Sequence, residues 1–243
     1  PGRRQMNTRQ SAAGERRIPN ALTIAGVDPS GGAGILADVK AMSALGAYGC
    51  AVIAALTAQN TQGVTGISPV PPDFVGLQID TLFTDVRIDA VKIGMLGQKP
   101  VIQVVAEKLA KWAPAHVVLD PVMVAKSGDL LLEREAVGAM REAMLPQATL
   151  LTPNLPEAGV LLEERPVETV KEMRRVAERL RNKMAHSGQR WVMVKGGHLP
   201  GNETIDLLHD GDRMIELPGH RIETVNTHGT GCTLSAALAA LLP

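Results

Sequence analysis

Aromatic residues and cysteines are both scarce in this sequence. Among its 243 residues there are two Phe, two Trp and one Tyr, so a hydrophobic core has to be built from aliphatic side chains and methionine. Cys50 and Cys232 form no CxxC pair or other metal-ligand spacing, and two cysteines are too few for a disulfide framework. This composition excludes a small disulfide-bonded scaffold and fits an α/β protein of a reducing compartment. We therefore expect a cytoplasmic protein.

A net charge and long apolar runs are also missing. The 25 Lys and Arg residues balance the 25 Asp and Glu residues, and no basic cluster occurs after residue 17. Nucleic acid is therefore not an expected partner. The longest apolar run, 233–242, is far shorter than the roughly 20 residues that cross a bilayer. Small molecules are the expected partners, rather than nucleic acid or a membrane.

The first 17 residues differ in character from the rest of the chain. They contain five arginines and almost no apolar side chains, and no hydrophobic stretch follows them. This pattern predicts a flexible N-terminal tail and not a secretory signal, with an Arg-rich transit remnant as the alternative. Residues 18–243 contain no internal repeat, low-complexity tract or long linker, so we expect them to form a single domain.

From residue 20 onward, short apolar runs alternate with segments of helical periodicity. The runs predicted to be strands are 22–27, 51–58, 90–95, 116–120, 150–154 and 191–196. The segments predicted to be helices are 34–45, 73–83, 100–112, 133–144, 167–186 and 233–242. Two further runs, 204–209 and 213–217, flank an Asp-Gly-Asp turn and predict a β-hairpin. This order predicts an α/β protein with a mostly parallel sheet and an antiparallel edge.

Polar residues follow five of the predicted strands. Because ligands of open α/β sheets bind at the carboxyl ends of the strands, we expect these residues to converge on one crevice. They are Gly26, Asp28, Ser30, Gly31, Gly32 and Gly34; Gln59 and Asn60; Asp120; Asn154 and Glu157; and Lys195, Gly196 and Gly197.

The segment NTHGTGC, residues 226–232, leads directly into the last predicted helix. The backbone amides of Gly229, Thr230 and Gly231 would point outward from a helix N-terminus, which is a binding site for anions. The segment is not a P-loop, because GxxxxGK followed by Ser or Thr is absent. A glycine loop before a helix is also an ordinary cap, so this segment alone leaves both interpretations open.

Seven segments together carry a family resemblance over residues 20–242. They are AGVDPSGGAGILADVK, SALGAYGC, LTAQNTQGV, KIGML, TPNLPEA, VKGGH and NTHGTGCTLSAALAAL. In this order and spacing they resemble the hydroxymethylpyrimidine and phosphomethylpyrimidine kinases of thiamin biosynthesis, within the ribokinase-like superfamily. The resemblance implies a three-layer α/β/α fold and a homodimer. It also implies phosphoryl transfer from ATP, with Mg²⁺, to 4-amino-5-hydroxymethyl-2-methylpyrimidine and then to its monophosphate.

The resemblance also implies a role for individual residues. The residues expected to bind the pyrimidine are Gly26, Asp38, Gln59 and Met95. Those expected to bind ATP are Asn154, Lys195 and Lys126, and those expected to hold the metal are Asp120 and Glu157. The catalytic group is expected to comprise Cys232, facing the acceptor oxygen, with Gly229, Thr230 and Gly231.

Several of these residues have a plainer interpretation without the family. Asp38 would be a solvated charge, Met95 a core residue, and Asp120 and Glu157 capping or loop carboxylates. In many ribokinase-like enzymes the position of Cys232 is an aspartate that acts as a base. We hypothesise that a cysteine there avoids repelling the anionic acceptor of the second phosphorylation.

Two other functions remain open at this point. Some relatives with GTGC also accept pyridoxal, so a pyridoxal kinase is one alternative, and a non-catalytic pyrimidine-binding homologue is the other. By resemblance, the family continues past the position of Pro243. We therefore expect a C-terminally shortened domain.

Overall fold

The computed structural model describes residues 17–124, 131–199, 203–224 and 226–243. The predicted N-terminal tail, apart from Arg17, and the predicted ATP-binding residue Lys126 lie outside the described residues. None of the helices in the described ranges combines the length and apolar character that a membrane span needs.

The described residues form nine strands and seven α-helices. The strands are β1 (Asn20–Val27), β2 (Tyr48–Gln59), β3 (Val64–Pro69), β4 (Ala90–Ile93), β5 (Val117–Leu119), β6 (Leu150–Leu151), β7 (Trp191–Val194), β8 (Glu203–His209) and β9 (Met214–His220). The helices are α1 (Gly34–Ala44), α2 (Pro72–Phe83), α3 (Lys99–Trp112), α4 (Arg134–Ala139), α5 (Leu155–Leu162), α6 (Val170–Lys183) and α7 (Thr230–Leu241). A π-helical turn (Met140–Met144) and a 3₁₀ turn (Leu145–Gln147) continue α4.

All nine strands belong to one sheet, in the order β3-β2-β1-β4-β5-β6-β7-β8-β9. The six strands from β2 to β7 in this order pair in parallel, and β3, β8 and β9 pair antiparallel. The predicted mostly parallel sheet with an antiparallel edge hairpin is therefore confirmed. The carboxyl ends of the parallel strands all lie at one edge of the sheet, where a ligand site is expected.

Helices cover both faces of the sheet and give the three layers. Alternating residues of β1 point to opposite faces: Leu22 belongs to the larger apolar cluster, and Ala21 to the smaller one. The smaller cluster contains Met42 of α1 together with Ala236 and other alanines of α7. Small side chains on α7 let it lie close to the sheet and to α1, so the start of α7 is held at the ligand-binding edge.

Two elements were not predicted. β3 contains the β-branched residues Val64, Thr65 and Ile67, but Gly66 and Pro69 interrupt them and the strand is mostly exposed, so it lacks the apolar run by which the other strands were predicted. α5 is a short helix that begins directly after Asn154, inside what looked like a loop. α6 is shorter than predicted because Thr169 caps it at its N-terminus through a hydrogen bond from the Glu172 amide.

Candidate active site

A cavity opens where the carboxyl ends of β1, β2 and β4 meet the first turn of α7. Four of the residues to which the resemblance assigns a role line it together: Gly26, Gln59, Met95 and Cys232. They come from distant parts of the chain and lie together because of the parallel sheet. Their roles toward a ligand stay predictions.

The loop after β1 forms one wall of this cavity. Gly34 has φ of 58°, in the left-handed region, and an added Cβ would overlap the Gly26 carbonyl oxygen. Only glycine fits there. The backbone of Gly34 lies close enough to the Cys232 thiol to lower its pKa, and both residues line the cavity. The loop after β1 therefore lies directly against the start of α7.

Lys92 is a cavity residue that the sequence interpretation missed. It lies in β4, is completely buried, and lines the cavity. Its Nζ donates a hydrogen bond to Asp38 Oδ2 at 2.7 Å, and Thr23 Oγ1 donates to the same oxygen at 2.6 Å. A lysine inside the apolar strand AVKI was the available signal, because lysine is almost never fully buried unless it is paired.

Asp38 is fully buried, so the interpretation of this residue as a solvated charge is wrong. It is not among the residues that line the cavity, and it lies behind Lys92. Burial raises the pKa of the Asp38 carboxyl, although the Lys92 ammonium opposes this. Burial lowers the pKa of Lys92, but the negative charges of Cys232, which ionises only at high pH, and of Asp38 and Asp120 outweigh it, so the pKa of Lys92 is raised. Lys92 is therefore a cation at neutral pH.

Cys232 is a neutral thiol in this environment. Burial raises its pKa, and the carboxylates of Asp120 and Asp38 raise it further, while the Lys92 charge and the Gly34 backbone act in the opposite direction. A helix N-terminus favours a thiolate, but here burial outweighs that effect. Cys232 is thus not a strong base at physiological pH.

The helix α7 begins at Thr230, three residues before the predicted start at 233. Its N-cap, Gly229, has φ of 74°, and an added Cβ would overlap the Gly32 carbonyl oxygen. Thr230, Gly231 and Cys232 therefore form the first helical turn. The first amides of an α-helix have no acceptor within the helix, so this turn has the geometry of an anion-binding site.

Lys195 and Asp120 lie beside this first turn. An added Cβ on Gly231 would lie 3.3 Å from Lys195 Nζ and 3.7 Å from Asp120 Oδ2. Lys195 Nζ donates to Asp120 Oδ1 at 3.0 Å. Asp120 also accepts hydrogen bonds from Thr152 Oγ1 at 3.1 Å and from Ser235 Oγ at 3.3 Å. The helix amides and the Lys195 ammonium therefore present positive charge at one place.

Glu157 and Asn154 cap the start of α5. Asn154 Oδ1 accepts from the Glu157 amide at 2.9 Å, and Glu157 Oε2 accepts from the Asn154 amide at 2.8 Å. Burial raises the pKa of Glu157 to about 7; Lys195 opposes the rise and Asp120 adds to it. Burial lowers the pKa of Lys195, but Asp120 and Glu157 outweigh it, so the pKa of Lys195 is raised. Glu157 and Lys195 therefore lie close enough to influence each other's ionisation.

The comparisons with known proteins agree with this geometry. Residues 28–243 match the family model described as phosphomethylpyrimidine kinase. The chain is 54% identical over 226 residues to the hydroxymethylpyrimidine/phosphomethylpyrimidine kinase of Escherichia coli (strain K12), covering 92% of this chain and 83% of that protein.

Two solved structures show the same fold. The phosphomethylpyrimidine kinase of Clostridium difficile 630 has a TM-score of 0.81 at 39% identity, covering 93% of this chain and 90% of that one. The pyridoxal kinase of Bacillus subtilis, in an ADP complex, has a TM-score of 0.83 at 35% identity, covering 93% and 84%. With the matched range, the fold and the convergent residues all in agreement, the chain is a kinase that belongs to the phosphomethylpyrimidine kinase family.

Proposed function

We propose that this kinase transfers a phosphoryl group from ATP to 4-amino-5-hydroxymethyl-2-methylpyrimidine, and a second one to the resulting monophosphate. The observation that supports this most is that the cavity proposed for the acceptor lies next to the helix turn proposed for the phosphate. The cavity lined by Gln59 and Met95 ends at Cys232, in the helical turn beside which Lys195 lies. The name of the Escherichia coli relative contains both activities.

The amide of Gln59 is suited to an aminopyrimidine. Thr57 Oγ1 lies 2.8 Å from the Val27 carbonyl oxygen and 3.1 Å from Gln59 Oε1, and its one proton can serve either acceptor. The Gln59 side chain lines the cavity and offers both N–H donors and an acceptor oxygen. It can therefore donate to a ring nitrogen of the pyrimidine and accept from the exocyclic amino group.

The transfer depends on charge neutralisation more than on a base. The acceptor oxygen forms a bond to the γ-phosphorus as the bond to the ADP oxygen breaks. In the first transfer the hydroxyl proton passes to a phosphate oxygen or to water, whereas the anionic acceptor of the second transfer has no proton to lose. Catalysis of both steps relies on positioning and electrostatics. The Lys195 ammonium and the first amides of α7 provide positive charge beside the phosphate. A neutral thiol at Cys232 adds no negative charge on the acceptor side.

Mg²⁺ is part of the proposal, with Asp120 and Glu157 as the residues that would hold it. Mg²⁺ is bound through one or two carboxylates together with substrate phosphates and waters, and this pair offers that donor set. Burial raises the pKa of Glu157 and Lys195 does not offset the rise, so a bound cation would stabilise the ionised carboxylate. When bound, the ion would neutralise charge on the transferred phosphoryl group.

Glu157 is expected to make the ligand-free protein less stable as the pH rises. Its folded-state pKa of about 7 lies above the ordinary 4.5, so the folded state binds this proton more tightly. The resulting stability is complete below pH 4.5 and is lost as the pH rises through 7. We expect a fall of about 1–3 kcal/mol in the free energy of unfolding, at about 1.4 kcal/mol per pKa unit.

The matched control is Glu157→Gln, which can still close the capping box with Asn154. Urea unfolding of both proteins at low and at neutral pH measures the difference. The variant is expected to lose part of the pH dependence, and an identical pH dependence in the two proteins would contradict this assignment.

The substitution Cys232→Asp is expected to slow the second phosphorylation more than the first, by about tenfold in relative rate. A carboxylate would repel the monophosphate acceptor but not the neutral alcohol. Two charges about 4 Å apart interact by about 1 kcal/mol in bulk water and by roughly 4 kcal/mol near a protein surface, and about 1.4 kcal/mol, near the lower end of this range, corresponds to tenfold. Cys232→Ser is the neutral control and should slow both steps alike. Separate initial rates with each acceptor test this; equal losses in both steps of Cys232→Asp would disprove it.

A coupled assay of ADP release with hydroxymethylpyrimidine, its monophosphate and pyridoxal, with and without Mg²⁺, tests the proposed function. We expect turnover of the first two acceptors. Turnover of pyridoxal alone would support the second candidate, a pyridoxal kinase, which the similarity to the Bacillus subtilis structure favours. Absence of turnover with all three would support a non-catalytic homologue.

We also propose a homodimer, a cytoplasmic location and a single domain over residues 18–243. The first two rest on the family resemblance and on the cysteine content, and the third rests on the sequence pattern. Light scattering should give about twice the 25.7 kDa mass of one chain, and a mass of 25.7 kDa would contradict the dimer.

A further inference from the structure

The loop of residues 28–34, called here the acceptor loop, is organised by one carboxylate. Asp28 is 2% exposed, and its Oδ1 accepts from the Ser30 amide at 2.8 Å. Its Oδ2 accepts from Ser30 Oγ at 2.8 Å and from the Ala33 amide at 3.0 Å. Asp28, Ala33 and Gly34 of this loop line the cavity. The position of Asp28 therefore determines the position of the cavity wall.

His228 joins this loop to the segment that precedes α7. Its Nε2 lies 2.7 Å from Asp28 Oδ2, across 200 residues of sequence. The imidazole also lies against Gly32, where an added Cβ would be 2.5 Å from His228 Cδ2. The next residue, Gly229, lies against the Gly32 carbonyl oxygen. His228 itself is not among the residues that line the cavity.

We propose that His228 is a positioning residue for phosphoryl transfer, holding the acceptor loop at a fixed distance from the first turn of α7 through its contact with Asp28. This proposal rests on the proposed function. The acceptor would lie against the loop and the phosphate against the helix turn, so their separation depends on how the two are joined. A misplacement of about 1 Å can reduce a rate by about 10²-fold.

The charges in this contact support the same assignment. Burial raises the pKa of Asp28, but hydrogen bonds from His228 and Ser30 outweigh it, so the pKa is lowered. Asp28 is therefore an anion at neutral pH and a strong acceptor for an imidazole N–H. A second hydrogen bond holds the outer side of the loop, where Lys40 Nζ donates to the Gly31 carbonyl oxygen at 2.5 Å. This hydrogen bond connects the loop to α1 and not to α7.

The test compares three variants of the full chain. His228→Ala should lower kcat by about 10²-fold, change the KM for ATP by less than about threefold, and accelerate amide hydrogen exchange in residues 28–34. His228→Gln keeps a donor of similar reach and should recover most of the kcat and of the exchange protection. Lys40→Ala should accelerate exchange at the acceptor loop but leave kcat within about twofold.

Several outcomes would overturn the proposal. They are an unchanged kcat in His228→Ala, a rise only in the KM for ATP, or an equal loss of kcat in Lys40→Ala. A wild-type protein that turns over none of the three acceptors would refute the proposed function instead. In that case hydrogen exchange still tests the proposal. Faster exchange in His228→Ala supports the role of His228 in joining the acceptor loop to α7, and unchanged exchange refutes it.

Discussion

Replacing Lys92 by methionine is expected to lower the free energy of unfolding by about 3–5 kcal/mol, because it leaves a buried carboxylate without its cation. Lys92 and Asp38 both have side chains that are 0% exposed, and their charged atoms are 2.7 Å apart. Within the described residues, Asp38 Oδ1 has no hydrogen-bond partner. Methionine keeps the length of the side chain, so the fall in the free energy of unfolding measures the removal of the charge and not the creation of a cavity. Urea unfolding measures it.

Two controls separate charge from packing. In Lys92→Met combined with Asp38→Asn, the buried charge is removed while the acceptor for Thr23 is kept, so most of the lost stability should return. Lys111→Met removes a half-exposed partner of Asp80 and should cost less than about 1 kcal/mol. If the single and double Lys92 variants were equally unstable, the loss would come from packing and this account of the pair would be wrong.

Gly229→Ala is expected to reduce kcat/KM by about 10²-fold or more, the largest catalytic loss among these predictions. Gly229 has φ of 74°, and its position against the Gly32 carbonyl leaves no room for a Cβ. The alanine must therefore push the first turn of α7 away from the acceptor loop. Lys195 and the amides of α7 would then no longer meet the phosphate in the same geometry.

Gly46→Ala is the matched control for backbone strain. Gly46 has φ of 83°, but an added Cβ meets nothing within 4 Å. This variant should lose about 1–2 kcal/mol of stability from the left-handed conformation alone and keep its activity. Steady-state kinetics and unfolding of both variants compare the two effects. Equal activity losses in the two variants would show that strain, and not displacement of α7, explains Gly229→Ala.

The strands and helices that were predicted correctly have either a clear hydrophobic periodicity or a nearly all-apolar composition. β1 and β7 are nearly all apolar and are buried on both faces of a parallel sheet, which local sequence shows directly. β3 and α5 were missed for opposite reasons. β3 is an exposed edge strand whose pairing with β2 stabilises it despite Gly66 and Pro69. α5 depends on a capping box between Asn154 and Glu157; a capping role was one interpretation of Glu157, but no helix was predicted after it.

Part of the candidate site was predictable from the strand-end rule and the motifs, although Asp38, which was also assigned to the pyrimidine pocket, does not line the cavity. Gly26, Gln59, Met95 and Cys232 line one cavity, as that interpretation requires. The partners of site residues were not predictable in the same way. Lys92 pairs with a residue 54 positions away, and His228 with one 200 positions away, so no local spacing records either contact. Only the folded sheet brings them together.

The position of α7 also affects the stage of synthesis at which a growing chain can form its active site. Strands from β4 onward add to the sheet in the order in which they leave the ribosome, so most of the sheet can assemble during synthesis. α7 then returns to pack on α1, β1 and β4, which were made first. Asp28 of the acceptor loop and His228 before α7 are 200 residues apart in the sequence. A chain synthesised only as far as β9 would therefore have all nine strands but would lack the first turn of α7, and we expect it to be inactive.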